Sequence, residues 1–85
     1  ICVTDYIAYE LMREMSRRGR AIGPDFELSG YDGVRPPPGC PQIPTVRVPF
    51  GSMGQAALEL LLTRLRDRDT PRRLVLIEHE LVLPV

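Results

Sequence analysis

The N-terminal third of the chain places two short apolar runs on either side of a stretch with helical periodicity. Residues 1–3 are continuously apolar, which is typical of a strand buried in a parallel sheet. A second strand is predicted over residues 26–31. The intervening helix carries its predicted apolar face at Ile7, Leu11, Met12 and Met15, and Gly19 is expected to end it. Strand, helix and strand in this order predict a βαβ unit with parallel pairing and a right-handed crossover.

The middle of the chain is rich in proline. Residues 35–44 contain five prolines, which lack the amide donor that a helix interior or a central strand requires. We therefore predict an extended loop that crosses between elements here, with a flexible linker as the alternative.

Helical periodicity returns after a short strand predicted at residues 45–48. Ser52 is expected to cap a second helix, whose apolar stripe is wide enough to predict burial on more than one side. The stripe comprises Met53, Ala57, Leu60, Leu61 and Leu65, and Leu58 and Leu62 widen it. Two further strands are predicted at residues 74–77 and 81–83.

Length, charge and cysteine count narrow the class of protein. The 85 residues suit one small domain or part of a larger one. The 11 basic and 11 acidic residues cancel, so no net field steers the chain toward nucleic acid or a membrane surface. No apolar run approaches the ~20 residues of a membrane span. Cys2 and Cys40 are expected to be free thiols in a reducing compartment. The chain opens inside a strand-like run without Met, so we expect a fragment.

Asp5 is the most informative candidate for a binding site. It directly follows the first predicted strand, and ligands of open α/β sheets bind beyond the carboxyl ends of parallel strands. Aspartate is also a preferred helix N-cap, and the spacing alone favours that role, although the two roles are compatible. Asp32 occupies the same place on the next strand, where the first position of an Asp-Gly turn explains it equally well.

The histidine, cysteines and glycines of the chain are not spaced as a catalytic site or a metal site requires. His79 is the lone histidine, and alternation along a strand places it on the face opposite Glu78 and Glu80. A zinc site needs several such ligands at suitable spacing, and a cysteine nucleophile needs a positioned base. The glycines do not form a phosphate-binding loop. We therefore predict no enzyme activity, no metal and no cofactor.

A series of motifs runs through the chain in one register. They are Thr4-Asp5, Ala8, Gly19, Ile22-Gly23-Pro24-Asp25, Gly30-Tyr31-Asp32-Gly33, Pro41-Gln42-Ile43-Pro44-Thr45-Val46 and the segment at residues 50–57 (FGSMGQAA). This series resembles the C-terminal part of the sugar-binding effector domain of LacI/GalR-type transcriptional regulators. The resemblance covers nearly the whole chain, including its last two strands.

The resemblance implies an α/β fold, a fragment of the type I periplasmic-binding-protein architecture with βαβ parallel sheet units and two subdomains. Residues 1–45 would belong to the C-terminal subdomain and residues 46–50 to a hinge crossing. Residues 51–77 would belong to the N-terminal subdomain, and residues 78–85 would form a returning strand.

The resemblance also implies site residues. In the family, the aspartate that matches Asp5 hydrogen-bonds ligand hydroxyls, and the aromatic residue that matches Phe50 lies near the ligand at the hinge. Asp32 is a weaker third candidate. The family often carries Gln where this chain has Val48 or Pro49, which removes one expected contact.

The implied function is ligand sensing in a LacI-type DNA-binding regulator. A small polar effector, expected to be a sugar, would change the affinity for operator DNA, which is bound through a headpiece that this chain lacks. The resemblance further implies a cytoplasmic homo-oligomer without membrane contact, and exposed apolar surface is expected to drive self-association by strand exchange. The alternative is a periplasmic solute-binding protein of a sugar transporter, and a third interpretation is a free-standing interaction module.

Overall fold

The computed structural model describes residues 1–84, which divide into two compact units. The first unit contains Ile1–Val48 and the segment that begins at Glu80, and the second is Pro49–His79. The elements are α1 (Asp5–Arg17), β1 (Thr45–Arg47), α2 (Phe50–Arg66) and β2 (Glu80–Val82). An α/β fold is therefore observed, as predicted, and its assignment to two family subdomains stays a prediction.

Helix α1 begins after Thr4, whose extended backbone and side chain make it the N-cap. The Thr4 hydroxyl accepts a 3.3 Å hydrogen bond from the Ile7 amide, which satisfies a donor in the first turn. At the other end, the Arg20 amide donates to the Met15 carbonyl and the Gly19 amide to that of Ser16. This is a Schellman motif, and the positive φ of Gly19 confirms its predicted role in ending the helix.

The buried face of α1 differs from the predicted one. The buried residues are Asp5, Ala8, Tyr9 and Met12, a stripe at i, i+3, i+4 and i+7. Met12 is buried as predicted, whereas Ile7 and Leu11 are exposed, so the observed face is rotated about the helix axis from the predicted one. The apolar pattern misled because Asp5, a charged residue, occupies one position of the buried stripe.

Extended segments lie side by side in the first unit. The Cys2 amide donates to the Ser29 carbonyl, the Gly30 amide to Pro44 and the Asp32 amide to Val46. These three segments run parallel, and β2 then pairs antiparallel with β1. The second predicted strand, residues 26–31, is thus present only as irregular extended chain. Isolated bridges join Phe26 to Ile22 and, just beyond the predicted strand, Asp32 to Arg47.

The core of the first unit lies between α1 and these segments. Ala8, Tyr9, Met12, Leu28 and Ile43 form it. Ile43 is fully buried although it belongs to the proline-rich segment. This burial favours the predicted extended loop over the flexible linker, because a linker has no buried anchor. Cys2 and Cys40 pack against the same core as free thiols, as predicted.

The second unit contains α2 and the chain that follows it. Pro49 occupies the N-cap and no side chain caps the helix, so the predicted cap at Ser52 was wrong. No α2 residue is buried, and residues 74–77 form no strand, which contradicts two further predictions. The apolar stripe is present, but Leu74 and Leu76 are each 85% exposed and do not cover it. Among the described residues, neither helix is long and apolar enough to cross a membrane.

Candidate functional site

Asp5 lies where the first extended segment enters α1. Its amide donates a 2.9 Å hydrogen bond to the Tyr31 carbonyl, which aligns it with the carboxyl end of the neighbouring segment. Asp5 is fully buried. A buried carboxylate is stable only when hydrogen-bond donors satisfy it, and the chain supplies those donors from two other segments.

The carboxylate of Asp5 accepts three hydrogen bonds. Its Oδ2 accepts from the amides of Gly33 at 2.9 Å and Val34 at 2.8 Å. Its Oδ1 accepts from the Thr45 hydroxyl at 2.7 Å, and the Thr45 oxygen in turn accepts a 3.3 Å bond from the Gly33 amide. We call Asp5, Gly33, Val34 and Thr45 the Asp5 network. It joins the start of α1, the two residues before the proline-rich loop and the start of β1.

Two glycines make room for the Asp5 network. A Cβ on Gly30 would collide with Oδ1 of Asp5, so only glycine allows the neighbouring segment to approach the carboxylate so closely. Gly33 has a φ of +78°, and a Cβ there would lie 2.6 Å from the Arg47 Cα. Gly30 is therefore required for space alone, and Gly33 for both its backbone conformation and space.

The role of helix cap belongs to Thr4 and not to Asp5, which corrects the interpretation that spacing alone favoured. The physical reason is that the Asp5 carboxylate turns inward to the amides of Gly33 and Val34. A cap position offers the side chain one backbone amide donor, whereas the inward position offers three donors, the amides of Gly33 and Val34 and the Thr45 hydroxyl.

Asp32 lies beside this network in a strained conformation. Its φ is +118°, which makes it the one non-glycine residue with positive φ in the described chain. Its amide donates to the Val46 carbonyl at 2.9 Å and its carbonyl accepts from the Val48 amide at 3.1 Å. These flanking bonds keep the backbone in a conformation that costs about 1–3 kcal/mol. The side chain is partly exposed, and within residues 1–84 no hydrogen bond or ion pair is recorded for its carboxylate.

Phe50 lies in the other unit. It is the first residue of α2, and its side chain is 61% exposed. The structure thus places Asp5 and Asp32 together at one edge of the first unit, while Phe50 belongs to the second. The contacts of all three with a ligand stay predictions.

Sequence reasoning missed Thr45 as a site residue. It is 2% exposed and its hydroxyl orients the Asp5 carboxylate. The available signal is a polar residue at the start of a short strand directly after a proline, but strand propensity alone already explains a threonine there. Val34 was missed because it contributes only its backbone amide, which no side-chain pattern reveals.

Tyr9 adds a buried polar atom beside the Asp5 network. Its hydroxyl is buried and makes no hydrogen bond of good geometry among the described residues. Burial raises the pKa of Tyr9 above 10.0. The nearby Ile43 backbone lowers this pKa in part, and the acidic groups of Asp5 and Cys40 raise it further. The neutral phenol is therefore favoured in the folded chain.

Metal ligands are not gathered in the described chain. No group of three or more His, Cys, Asp or Glu side chains in residues 1–84 is placed to hold a metal ion. The His79 ring nitrogen Nδ1 lies 3.0 Å from the Ile77 carbonyl oxygen, an interaction within its own segment.

With the geometry established, comparison with known proteins defines the class. The periplasmic binding protein-like domain family matches residues 1–83, and the chain belongs to that family. The chain is also similar to two HTH-type transcriptional repressors named PurR. The repressor of Photobacterium profundum is 29% identical over 83 residues, which cover 96% of the chain and 25% of the relative. The repressor of Vibrio cholerae is 32% identical over 82 residues, which cover 95% of the chain and 24% of the relative.

These matches confirm the predicted resemblance to a LacI-type effector domain. The chain spans about a quarter of the length of the curated relatives it matches. The relatives are named as repressors and not as enzymes. No solved structure matches the chain significantly.

Proposed function

We propose that this chain is the effector-sensing part of a LacI-type transcriptional regulator that binds a small polar effector, a sugar or a similar compound. The match to HTH-type repressors over nearly the whole chain is the observation that carries the proposal. Because these relatives are repressors, a solute-binding protein of a transporter is not favoured. The regulator would act in the cytoplasm as a homo-oligomer, with operator DNA bound outside this chain.

Three residues would contact the effector, and their surroundings suggest different roles. The Asp32 carboxylate is partly exposed and unpaired within the described chain, so it can accept hydroxyl donors directly. Asp5 is enclosed, but its Oδ1 accepts only one hydrogen bond and keeps a second acceptor position. A small shift of the adjoining segments would expose it. The exposed Phe50 ring offers an apolar surface for the flat side of a sugar ring.

Effector binding would change DNA binding by a shift in population. A ligand changes an equilibrium only through its different affinities for two states. In the first unit, the Asp5 network links three segments that are distant in sequence, so a ligand that displaces one donor alters the position of the others. The test is operator binding by the full-length regulator with and without a panel of monosaccharides.

The variants for this test distinguish the loss of an effector contact from a loss of folding. Asp32→Asn removes a charge without removing a recorded contact, so it should abolish the response to effector while operator affinity without effector stays unchanged. Glu27→Gln, at an exposed position in the first unit, is the matched control and should respond normally. A full response by the Asp32 variant would exclude this residue from the site. Sedimentation that shows a monomer at every concentration would contradict the proposed homo-oligomer.

A further inference from the structure

One charged surface takes no part in the proposed effector site: the arginine-rich segment, residues 64–73, at the end of α2. Five arginines and two aspartates give it a net charge of +3, although the whole chain is neutral. All five arginines are exposed. They are Arg64, Arg66, Arg68, Arg72 and Arg73.

A turn after α2, which contains Arg68, brings the other four arginines around two neighbouring clefts of the second unit. The Thr70 amide donates to the Asp67 carbonyl at 3.1 Å, and the Arg64 guanidinium donates to the Thr70 carbonyl at 3.1 Å. The chain therefore returns alongside the last turns of α2. Arg64, Arg72 and Arg73 line one cleft of about 230 Å³, and Arg66 and Arg73 line a second of about 450 Å³.

The acidic residues nearby do not neutralise this charge. The ion pairs within residues 1–84 all lie in the first unit. Asp67 accepts a 3.0 Å hydrogen bond from the Asp69 amide, and Glu59 accepts one of 3.4 Å from the Gln55 side chain. Arginines without carboxylate partners keep their guanidinium donors available for an external anion.

Stabilisation of the helix explains only part of the segment. Arg64 and Arg66 lie in the last turn of α2, where a cation complements the partial negative charge of the helix C-terminus. Arg68, Arg72 and Arg73 follow the C-cap at Asp67, outside the last helical turn, where that effect is largest. These three arginines therefore need another explanation.

We propose that the arginine-rich segment binds the phosphate backbone of double-stranded DNA without reading its sequence. The inference rests on the proposed function, because a regulator that works at an operator meets DNA phosphates at close range. Arginine matches phosphate with two parallel hydrogen bonds. DNA presents one negative charge per ~1.7 Å of helix axis, so it can pair with several arginines at once. An acidic protein partner offers no such regular spacing.

The experiment measures binding of the 85-residue chain to a short random-sequence DNA duplex at several salt concentrations. The test variant combines Arg68→Gln, Arg72→Gln and Arg73→Gln. Each phosphate contact contributes about −0.9 to the slope of log K against log salt, so the slope should become shallower by about 3. The matched control removes the same charge on α1 by Arg13→Gln, Arg17→Gln and Arg18→Gln, whose partners are Glu10 and Glu14. It should change the slope by less than about 1.

Three outcomes would overturn the proposal: no DNA binding, an equal loss in the test and control variants, or binding of polyglutamate in preference to DNA. Circular dichroism checks that both variants keep their helices. The assay uses neither operator sequence nor effector. Its failure would therefore leave effector-dependent operator binding by the full-length regulator untouched, and the two proposals can fail separately.

Discussion

The hydroxyl of Thr45 donates a 2.7 Å hydrogen bond to the carboxylate of Asp5, 40 residues earlier in the chain. Both side chains are buried, so water cannot replace this bond. The pair connects the start of α1 to the start of β1. It shows how a polar contact inside a small core fixes the edge at which the proposed site lies.

Thr45→Val should lower the free energy of unfolding by about 2 kcal/mol, because a buried carboxylate oxygen would lose its donor. Thr45→Ser keeps the hydroxyl and should recover most of that loss. Urea denaturation followed by circular dichroism measures both variants. If valine leaves the stability unchanged while serine lowers it, the packing of the threonine methyl group matters and the hydrogen bond does not.

Gly30→Ala should be severely destabilising, because the new Cβ would collide with Oδ1 of Asp5. Forced overpacking typically costs about 1–3 kcal/mol, and displacement of a buried carboxylate adds to this. Gly54→Ala is the matched control, because Gly54 lies inside α2 with open space around it. Alanine there should stabilise the helix by about 0.5–1 kcal/mol. Thermal unfolding of the two variants should therefore shift in opposite directions.

Tyr9→Phe removes a buried hydroxyl that makes no hydrogen bond of good geometry in residues 1–84 and interacts only weakly with the Ile43 backbone. An unsatisfied buried polar group costs about 1–3 kcal/mol, so phenylalanine should leave stability unchanged or raise it by about 1 kcal/mol. Tyr6→Phe, at an exposed position of the same helix, is the control and should have little effect.

The dependence of stability on alkaline pH is a second test of Tyr9. Burial raises the pKa of Tyr9 in the folded chain, so the folded state keeps the phenolic proton where the unfolded chain loses it. The associated stability is complete below the unfolded pKa of about 10 and is lost as the pH rises through the folded-state pKa. Urea denaturation between about pH 8 and pH 11 should show a decline that Tyr9→Phe reduces. An identical decline in wild type and variant would assign it to other groups.

The sequence predicted the elements that depend on local chemistry. The end of α1 at Gly19 and the strand at β1 follow from backbone rules that act within a few residues. The buried face of α1 was not predictable in the same way, because the inward position of Asp5 depends on the distant amides of Gly33 and Val34. Hydropathy predicts that an aspartate is exposed. Its burial can be explained only once these hydrogen-bond donors are known.

In the second unit, the apolar pattern of α2 predicted burial that the structure does not show. Its apolar stripe predicted a buried helix, yet Leu61 and Leu65 are exposed. Periodicity indicates which face requires cover and does not say whether this stretch of chain supplies that cover. The candidate site was also predicted only in part. The resemblance indicated Asp5, but the orienting role of Thr45 is seen only in the geometry of its hydroxyl.

Asp32→Gly should separate stability from function at the proposed site. The φ of +118° at Asp32 is costly for aspartate and not for glycine, so glycine should raise the free energy of unfolding by about 1 kcal/mol. The same change removes the carboxylate and should abolish the effector response of the full-length regulator. Asp32→Ala is the matched control: it also removes the carboxylate but keeps the strain, so it should lose the response without gaining stability. If glycine and alanine give equal stability, the backbone at this position stores no strain. A stabilised Asp32→Gly regulator that still responds would show that the strain is unrelated to effector binding.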